Sequence, residues 1–130
     1  PLPLPARGSA RGLPLVQHKL PVLLELVAQG ALRIEDVVRK ACHNPARRFE
    51  VKDRGFLREG YYADLVIADP NALTEAHTAP LASRCGWSPF EDLALRGRVV
   101  RTWGNGNLVY DRGRWPDAPR GRAVEFARKR

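Results

Sequence analysis

The stretch Asp53-Arg54-Gly55-Phe56-Leu57-Arg58-Glu59-Gly60-Tyr61-Tyr62-Ala63-Asp64-Leu65-Val66-Ile67-Ala68-Asp69 divides the chain into two halves of different character. Gly55 and Gly60 punctuate a turn-prone lead-in. An apolar run, Ala63 to Ala68, follows and is bracketed by Asp64 and Asp69. The near-continuous apolarity predicts a short strand covered on both faces. Before this stretch the apolar residues recur at helical spacing, and after it they do not, which places a boundary near residues 50–55.

On the helical side, Leu15, Val16, Leu20, Leu23, Leu24 and Val27 predict a helix over 15–29 with one apolar face. Pro14 suits its first turn, Pro21 is expected to kink it, and Gly30 to end it. Ile34, Val37, Val38 and Ala41 predict a second helix over 34–42. Glu35 and Asp36 in its first turn, with Arg39 and Lys40 in its last, match the helix dipole. Asn44 and Pro45 read as the N-cap and first residue of a short third helix. On the β side, Asp69-Pro70-Asn71 reads as a turn. Residues 98–103 and 107–110 read as strands joined by a tight Asn105-Gly106 turn. Residues 74–95 lack a clear period and contain a Gly- and Pro-stiffened loop over 85–91. The expected organisation is a Pro/Arg leader over 1–12, helices over 13–52, a β part over 53–113 and a basic tail over 114–130.

The chain has 130 residues, 44% of them hydrophobic, so one core is the most it can build. It begins with Pro1 and contains no methionine, which leads to the expectation of a fragment. No stretch approaches a membrane span, and no signal-peptide pattern occurs. Cys42 and Cys85 are far apart and form no Cys-x-x-Cys, as expected of thiols in a reducing cytoplasm. The net charge of +8 comes mainly from scattered arginines. Aromatic residues do not interleave with them, so a solvated surface is expected rather than a nucleic-acid interface.

Several segments together resemble the dihydroorotase family of the amidohydrolase superfamily. They are Gly12-Leu13-Pro14-Leu15-Val16-Gln17-His18, Cys42-His43-Asn44-Pro45-Ala46 and Arg54 to Val66. The loop Cys85-Gly86-Trp87-Ser88-Pro89-Phe90-Glu91 and the hairpin Asn105-Gly106-Asn107-Leu108-Val109-Tyr110 complete the set. The Gly60-Tyr61-Tyr62-Ala63-Asp64-Leu65-Val66 piece alone also fits hydantoinases and allantoinases. The resemblance implies an α/β fold: terminal helices of an amidohydrolase (β/α) barrel followed by part of the accessory β-sandwich. It further implies hydrolysis of a cyclic amide in pyrimidine synthesis, with zinc in the complete family enzyme. None of the family's metal motifs is present, and His18, His43 and His77 are not spaced as ligands. The expectation for this chain is therefore no catalytic residue, no metal ligand and no activity alone.

By resemblance, Arg11 and Gly12 are the candidate substrate-binding residues, through their backbone. Asp64 and Asp69 are read as strand-end aspartates holding loops, in preference to a carboxylate pair for metal or acid–base work. Cys42 and Cys85 are read as small packed residues, His18 as a surface or satisfied histidine, and Trp87 and Phe90 as anchors of their loop. The expected partner is the missing N-terminal portion of the enzyme or a partner subunit, with homo-oligomerisation through uncovered apolar faces. A non-catalytic binding module and a basic nucleic-acid binder are the rival readings.

Overall fold

The computed structural model describes residues 16–75, 81–82, 86–90, 92–117 and 121–127. Helix α1 (Lys19–Ala28) is followed by α2 (Ile34–Val38), a π-helical turn (Arg39–His43) and α3 (Asn44–Arg48). Strands β1 (Leu65–Glu75), β2 (Ala94–Gly104) and β3 (Asn107–Asp111) complete the order. They form one antiparallel sheet in the order β1-β2-β3. The class is a small α/β arrangement in which α1 lies against β2.

Helix α1 starts at Lys19, four residues later than its periodicity suggests. Pro21 consequently falls in the first turn, where its missing N–H costs no hydrogen bond, and it breaks nothing. The C-terminus closes as expected. Gly30 N–H bonds Val27 O at 2.9 Å and Ala31 N–H bonds Leu26 O at 2.9 Å, the paired bonds of a Schellman cap. The second and third predicted helices are one helical run from Ile34 to Arg48. Asn44 has helical dihedrals (φ −64°, ψ −45°) and does not cap; its N–H reaches back five residues to Arg39 O. This π turn inserts an extra residue into the run immediately ahead of Pro45, whose lack of an N–H would otherwise interrupt the ladder.

The strand over 63–68 is present but longer, and its environment differs from expectation. Among the described strands β1 has only β2 as a neighbour, and Leu65, Val66 and Ile67 are 39%, 51% and 50% exposed. The run is apolar but uncovered by the described residues. The expected turn at Asp69-Pro70-Asn71 lies inside β1 as a bulge. Three residues, Pro70 to Ala72, oppose the single Gly97 between the pairs Asp69–Arg98 and Leu73–Arg96. Asp69 Oδ1 accepts from the N–H groups of Asn71 (2.9 Å) and Ala72 (3.2 Å), holding the bulge as an Asx turn.

β2 alternates cleanly at its start. Leu95 and Gly97 are buried, Gly97 directly under Leu24 of α1, while Ala94, Arg96 and Arg98 are exposed. The described core is small: Leu24, Val37, Ala46 and Leu95 are its buried apolar residues. The β2–β3 turn forms as read, with φ of 52° at Asn105 and 82° at Gly106. A second tight turn at Arg112-Gly113 folds Arg114 back onto Asp111 with two backbone bonds of 2.9 Å. Within the stretch assigned to a basic tail, Trp115 meets Tyr110 edge-on at 5.1 Å. Phe126 bridges Val51, with Lys52 N–H on Glu125 O at 2.9 Å and Ala127 N–H on Glu50 O at 2.8 Å.

A Cβ at Gly106 would meet nothing within 4 Å, so substitution there tests backbone conformation alone. Gly106→Val should destabilise the fold by about 1–3 kcal/mol, the cost of forcing a β-branched residue to positive φ. An unchanged urea midpoint would contradict the turn geometry.

Candidate functional site

Three joints tie distant parts of the chain together, and each joins segments singled out in the sequence. The first lies at the start of α1. His18 is 2% exposed, and its Nδ1 is 3.0 Å from Ser88 Oγ. Ser88 Oγ also accepts the Phe90 N–H at 3.2 Å, and the Phe90 ring stands edge-on to the imidazole at 6.0 Å. Gln17 Oε1 accepts the Ala82 N–H at 2.8 Å. The loop carrying Ser88-Pro89-Phe90 is thus pinned to the N-terminus of α1. Nε2 of His18 is buried without a hydrogen-bond partner among the described residues. Burial holds the imidazole pKa below its ordinary 6.5, so the ring is neutral at pH 7.

The second joint centres on Arg54, whose side chain is 12% exposed. Its guanidinium pairs with Asp64, bonds Asn105 Oδ1 at 2.6 Å and lies 4.1 Å above the Tyr62 ring. Asp64 Oδ1 accepts the Asn105 N–H at 2.8 Å, and Ala63 O accepts the Gly106 N–H at 3.0 Å. The Ala63-Asp64 signature therefore clasps the β2–β3 turn and is a structural node. At the third joint, Gly55 packs so closely on Cys42 and Ala46 that a Cβ would sit 2.5 Å from Ala46 Cβ. His43 stacks on Phe56 at 4.4 Å, with Arg47 and Arg58 lying against the same ring.

Between the start of α1 and the sheet opens a cavity of about 1250 Å³. Val66, Val100 and Val109 supply apolar wall, and Tyr110 and Trp115 close one side. The charged side chains lining it are all cations: Lys19, Arg98 and Arg112. None of the three makes an ion pair among the described residues.

Arg11 and Gly12, the residues expected to touch substrate, lie outside the described residues, as do His77, Cys85 and Glu91. His18 is not a surface residue. Cys42 is exposed rather than packed; only its backbone carbonyl faces Gly55. His43 sits within the helical run, where it stacks on Phe56. Phe90 anchors its loop against His18, the residue that precedes α1. Asp64 and Asp69 hold loops as read and do not converge on each other's chemistry. Sequence reading missed the His18–Ser88 pair, since nothing in either segment signals a contact 70 positions apart.

Two groups that tie distant segments together contribute to acid sensitivity. Glu25 Oε2 accepts the Arg96 N–H at 2.6 Å, tying α1 to β2, and Gln29 donates to its other oxygen at 2.8 Å. The backbone bond first and the Gln29 bond second hold its pKa below 4.5. A lowered carboxylate pKa gives stability that is present above the unfolded value and lost as pH falls through the folded one. The lowered imidazole pKa of His18 acts in the same direction from pH 6.5 downward. The melting temperature should therefore fall in two stages on acidification. Glu25→Gln should lower it at pH 7 but converge on the parent below pH 4.5. A constant gap across that range would exclude the Glu25 assignment.

Helix α1 docked on a three-stranded antiparallel sheet defines a small α/β arrangement. The chain belongs to the amidohydrolase family, whose model matches residues 10–109. It is similar to the dihydroorotase of Pyrococcus abyssi, 35% identical over 118 residues, covering 91% of this chain and 29% of that protein. It is also similar to the dihydroorotase of Clostridium acetobutylicum, at 38% over 86 residues, 66% of this chain and 20% of that protein. The "Multifunctional protein pyr1-3" of Dictyostelium discoideum matches at 33% over 103 residues, 79% of this chain and 4% of that protein. The chain spans less than a third of the length of these relatives.

Proposed function

We propose that this chain is the C-terminal portion of a dihydroorotase-type amidohydrolase. It contributes the last helices of a (β/α) barrel and part of the accessory β-sandwich. The complete enzyme hydrolyses the cyclic amide of dihydroorotate to N-carbamoyl-aspartate in de novo pyrimidine synthesis, in the cytoplasm. The observation that carries this reading is the alignment with the Pyrococcus abyssi dihydroorotase, which uses 91% of this chain but 29% of that protein. The uncovered apolar strand β1 and the open cavity beside it support it, since both need a cover that the described residues do not provide. No helix among the described residues is long and apolar enough to cross a membrane.

Zinc in such an enzyme would lower the pKa of a bound water to make the nucleophile. The donors here do not fit it. Among the described residues no three His, Cys, Asp or Glu groups lie close enough to share an ion. No catalytic step is therefore assigned to this chain, and Arg11 and Gly12 remain its proposed backbone contacts to substrate. Its partner is the metal-bearing portion of the enzyme, and alone it associates through its uncovered apolar faces. The Dictyostelium match, 4% of a much longer protein, favours a second reading. In that reading the chain is a non-catalytic module held beside a partner enzyme.

The test measures dihydroorotate hydrolysis and zinc content. The chain alone should show neither turnover nor bound metal. Mixing it with the part of the Pyrococcus abyssi dihydroorotase outside the matched region should give turnover. Hydrolysis by the chain alone, or about one or two tightly held zinc ions per chain, would overturn the fragment reading. Association without turnover would favour the module.

A further inference from the structure

Beside the third joint the chain gathers positive charge that no described residue answers. The guanidinium of Arg47 stands 5.2 Å from the centre of the Phe56 ring, and that of Arg58 stands 4.7 Å from the same centre. The two cations are therefore no further apart than those distances combined. His43 lies flat against the ring at 4.4 Å, with an angle of 6° between the planes. The described ion pairs join Arg33 to Glu35, Arg39 to Asp36, Arg54 to Asp64 and Arg101 to Asp111. Neither Arg47 nor Arg58 has a carboxylate among the described residues, and both are exposed. The ring attracts each guanidinium, but the pair still repel one another.

A groove of about 490 Å³ lies along the helical run and reaches this pair at His43 and Arg47. Toward the start of α2 its wall is apolar. Ile34 and Val38, one turn apart, are 47% and 42% exposed there. Glu35 and Arg39 also line it, but their charges are met by Arg33 and Asp36. The groove is thus apolar toward one end and carries unanswered positive charge toward the other, which selects an amphiphilic anion. Phosphate suits the charged end better than carboxylate does. The two oxygens of a carboxylate fill one guanidinium fork, whereas the three of a phosphate monoester can be shared between two. The volume is that of a small-molecule site. Nucleic acid is a poor occupant, because Phe56 already carries His43 and both guanidiniums and leaves no platform for a base.

We propose that this groove binds a small organic phosphate. Arg47 and Arg58 share the phosphate group, and its aromatic or aliphatic body lies on Val38 and Ile34. The site is built from the helical run and the Phe56 segment alone and does not rest on the proposed function above.

The experiment titrates the chain with naphthyl phosphate, naphthoate and inorganic phosphate, reading dissociation constants by calorimetry and the Val38 methyl shifts by NMR. Naphthyl phosphate should bind about tenfold more tightly than either of the others, since each lacks one half of the match. It should also shift the Val38 methyls, and inorganic phosphate should not. The Arg47→Gln/Arg58→Gln pair should weaken naphthyl phosphate about tenfold or more. Arg48→Gln/Arg122→Gln removes the same charge from two other exposed arginines and should stay within about threefold of the parent. Circular dichroism checks that both pairs keep the parent fold, and the comparison of the three ligands needs no variant. Equal losses in the two pairs would reduce the binding to the attraction of a basic chain and overturn the proposal. Inorganic phosphate or naphthoate binding as tightly as naphthyl phosphate, or unshifted Val38 methyls, also overturns it. So does a parent chain that binds none of the three.

Discussion

Gly97→Val is expected to abolish cooperative folding of the chain. Gly97 lies in β2 with φ of 101°, at the point where the strand presses on α1. A Cβ there would sit 2.4 Å from Leu24 Cβ and 2.7 Å from its Cδ1. The Leu24 Cβ is fixed by the helix backbone, so no rotamer change relieves the first contact. Overpacking of this kind costs about 1–3 kcal/mol, and a non-glycine residue at positive φ adds about 1–3 more. Both fall on the main contact between the helical half and the sheet, in a chain whose described apolar core is four residues. Small domains hold only about 5–15 kcal/mol in total, and a thin core sits at the low end. Gly104→Ala is the control in the same strand. Its nearest neighbour is Val109 Cγ1 at 3.8 Å, and its φ is not positive, so it should be close to neutral. Urea unfolding followed by circular dichroism separates the two. Equal midpoints for the parent and Gly97→Val would mean that α1 does not rest on β2 as described.

Local chemistry was readable from the sequence; cover and distance were not. Gly30 and the Asn105-Gly106 turn announce themselves because their conformations are set by residues at the site. The β1 run shows the opposite case. Its apolarity signals a strand made to be covered, but not what covers it, and Val66 at 51% exposure shows that the described chain does not. Pro21 and the Asn44 cap ahead of Pro45 misled for a shared reason, although Pro45 does sit in the first turn of α3. A proline marks where a hydrogen bond is missing, and the fold met that loss by starting α1 late and by inserting a π turn. The His18–Ser88 contact had no local signal at all. Even so, every segment that carried the family resemblance within the described residues turned out to be one side of a joint. Residues 17–18 meet 82–90, residues 42–46 meet 55–56, and residues 54–64 meet 105–106. The motifs that identify the family here are therefore those that hold this part of the fold together.

The strongest of these joints on charge grounds is the Arg54 clasp, and Arg54→Met should be the most damaging change outside the core. Methionine keeps much of the side-chain length and its contact with Tyr62, but removes every donor. Asp64 would then keep only its bond from the Asn105 N–H, and Asn105 Oδ1 would lose its 2.6 Å partner. Hydrogen bonds to charged groups are worth about 1.5–3 kcal/mol, and a nearly buried cation loses little to solvent screening. Asp64 is 36% exposed, so water recovers part of the cost on that side, and a net loss of about 2–3 kcal/mol is expected. The double variant Arg54→Met/Asp64→Leu removes both charges and isolates the coupling. If the pair is the clasp described here, the double variant should be more stable than the sum of the single losses predicts. Arg54→Lys should recover little, because one ammonium cannot reach Asp64 and Asn105 in the same plane while lying over Tyr62. Hydrogen exchange at the Asn105 and Gly106 amides reports the consequence directly. Both should lose protection in Arg54→Met before the rest of β2 does. Simultaneous loss across the sheet would place Arg54 in the global core and not at the turn.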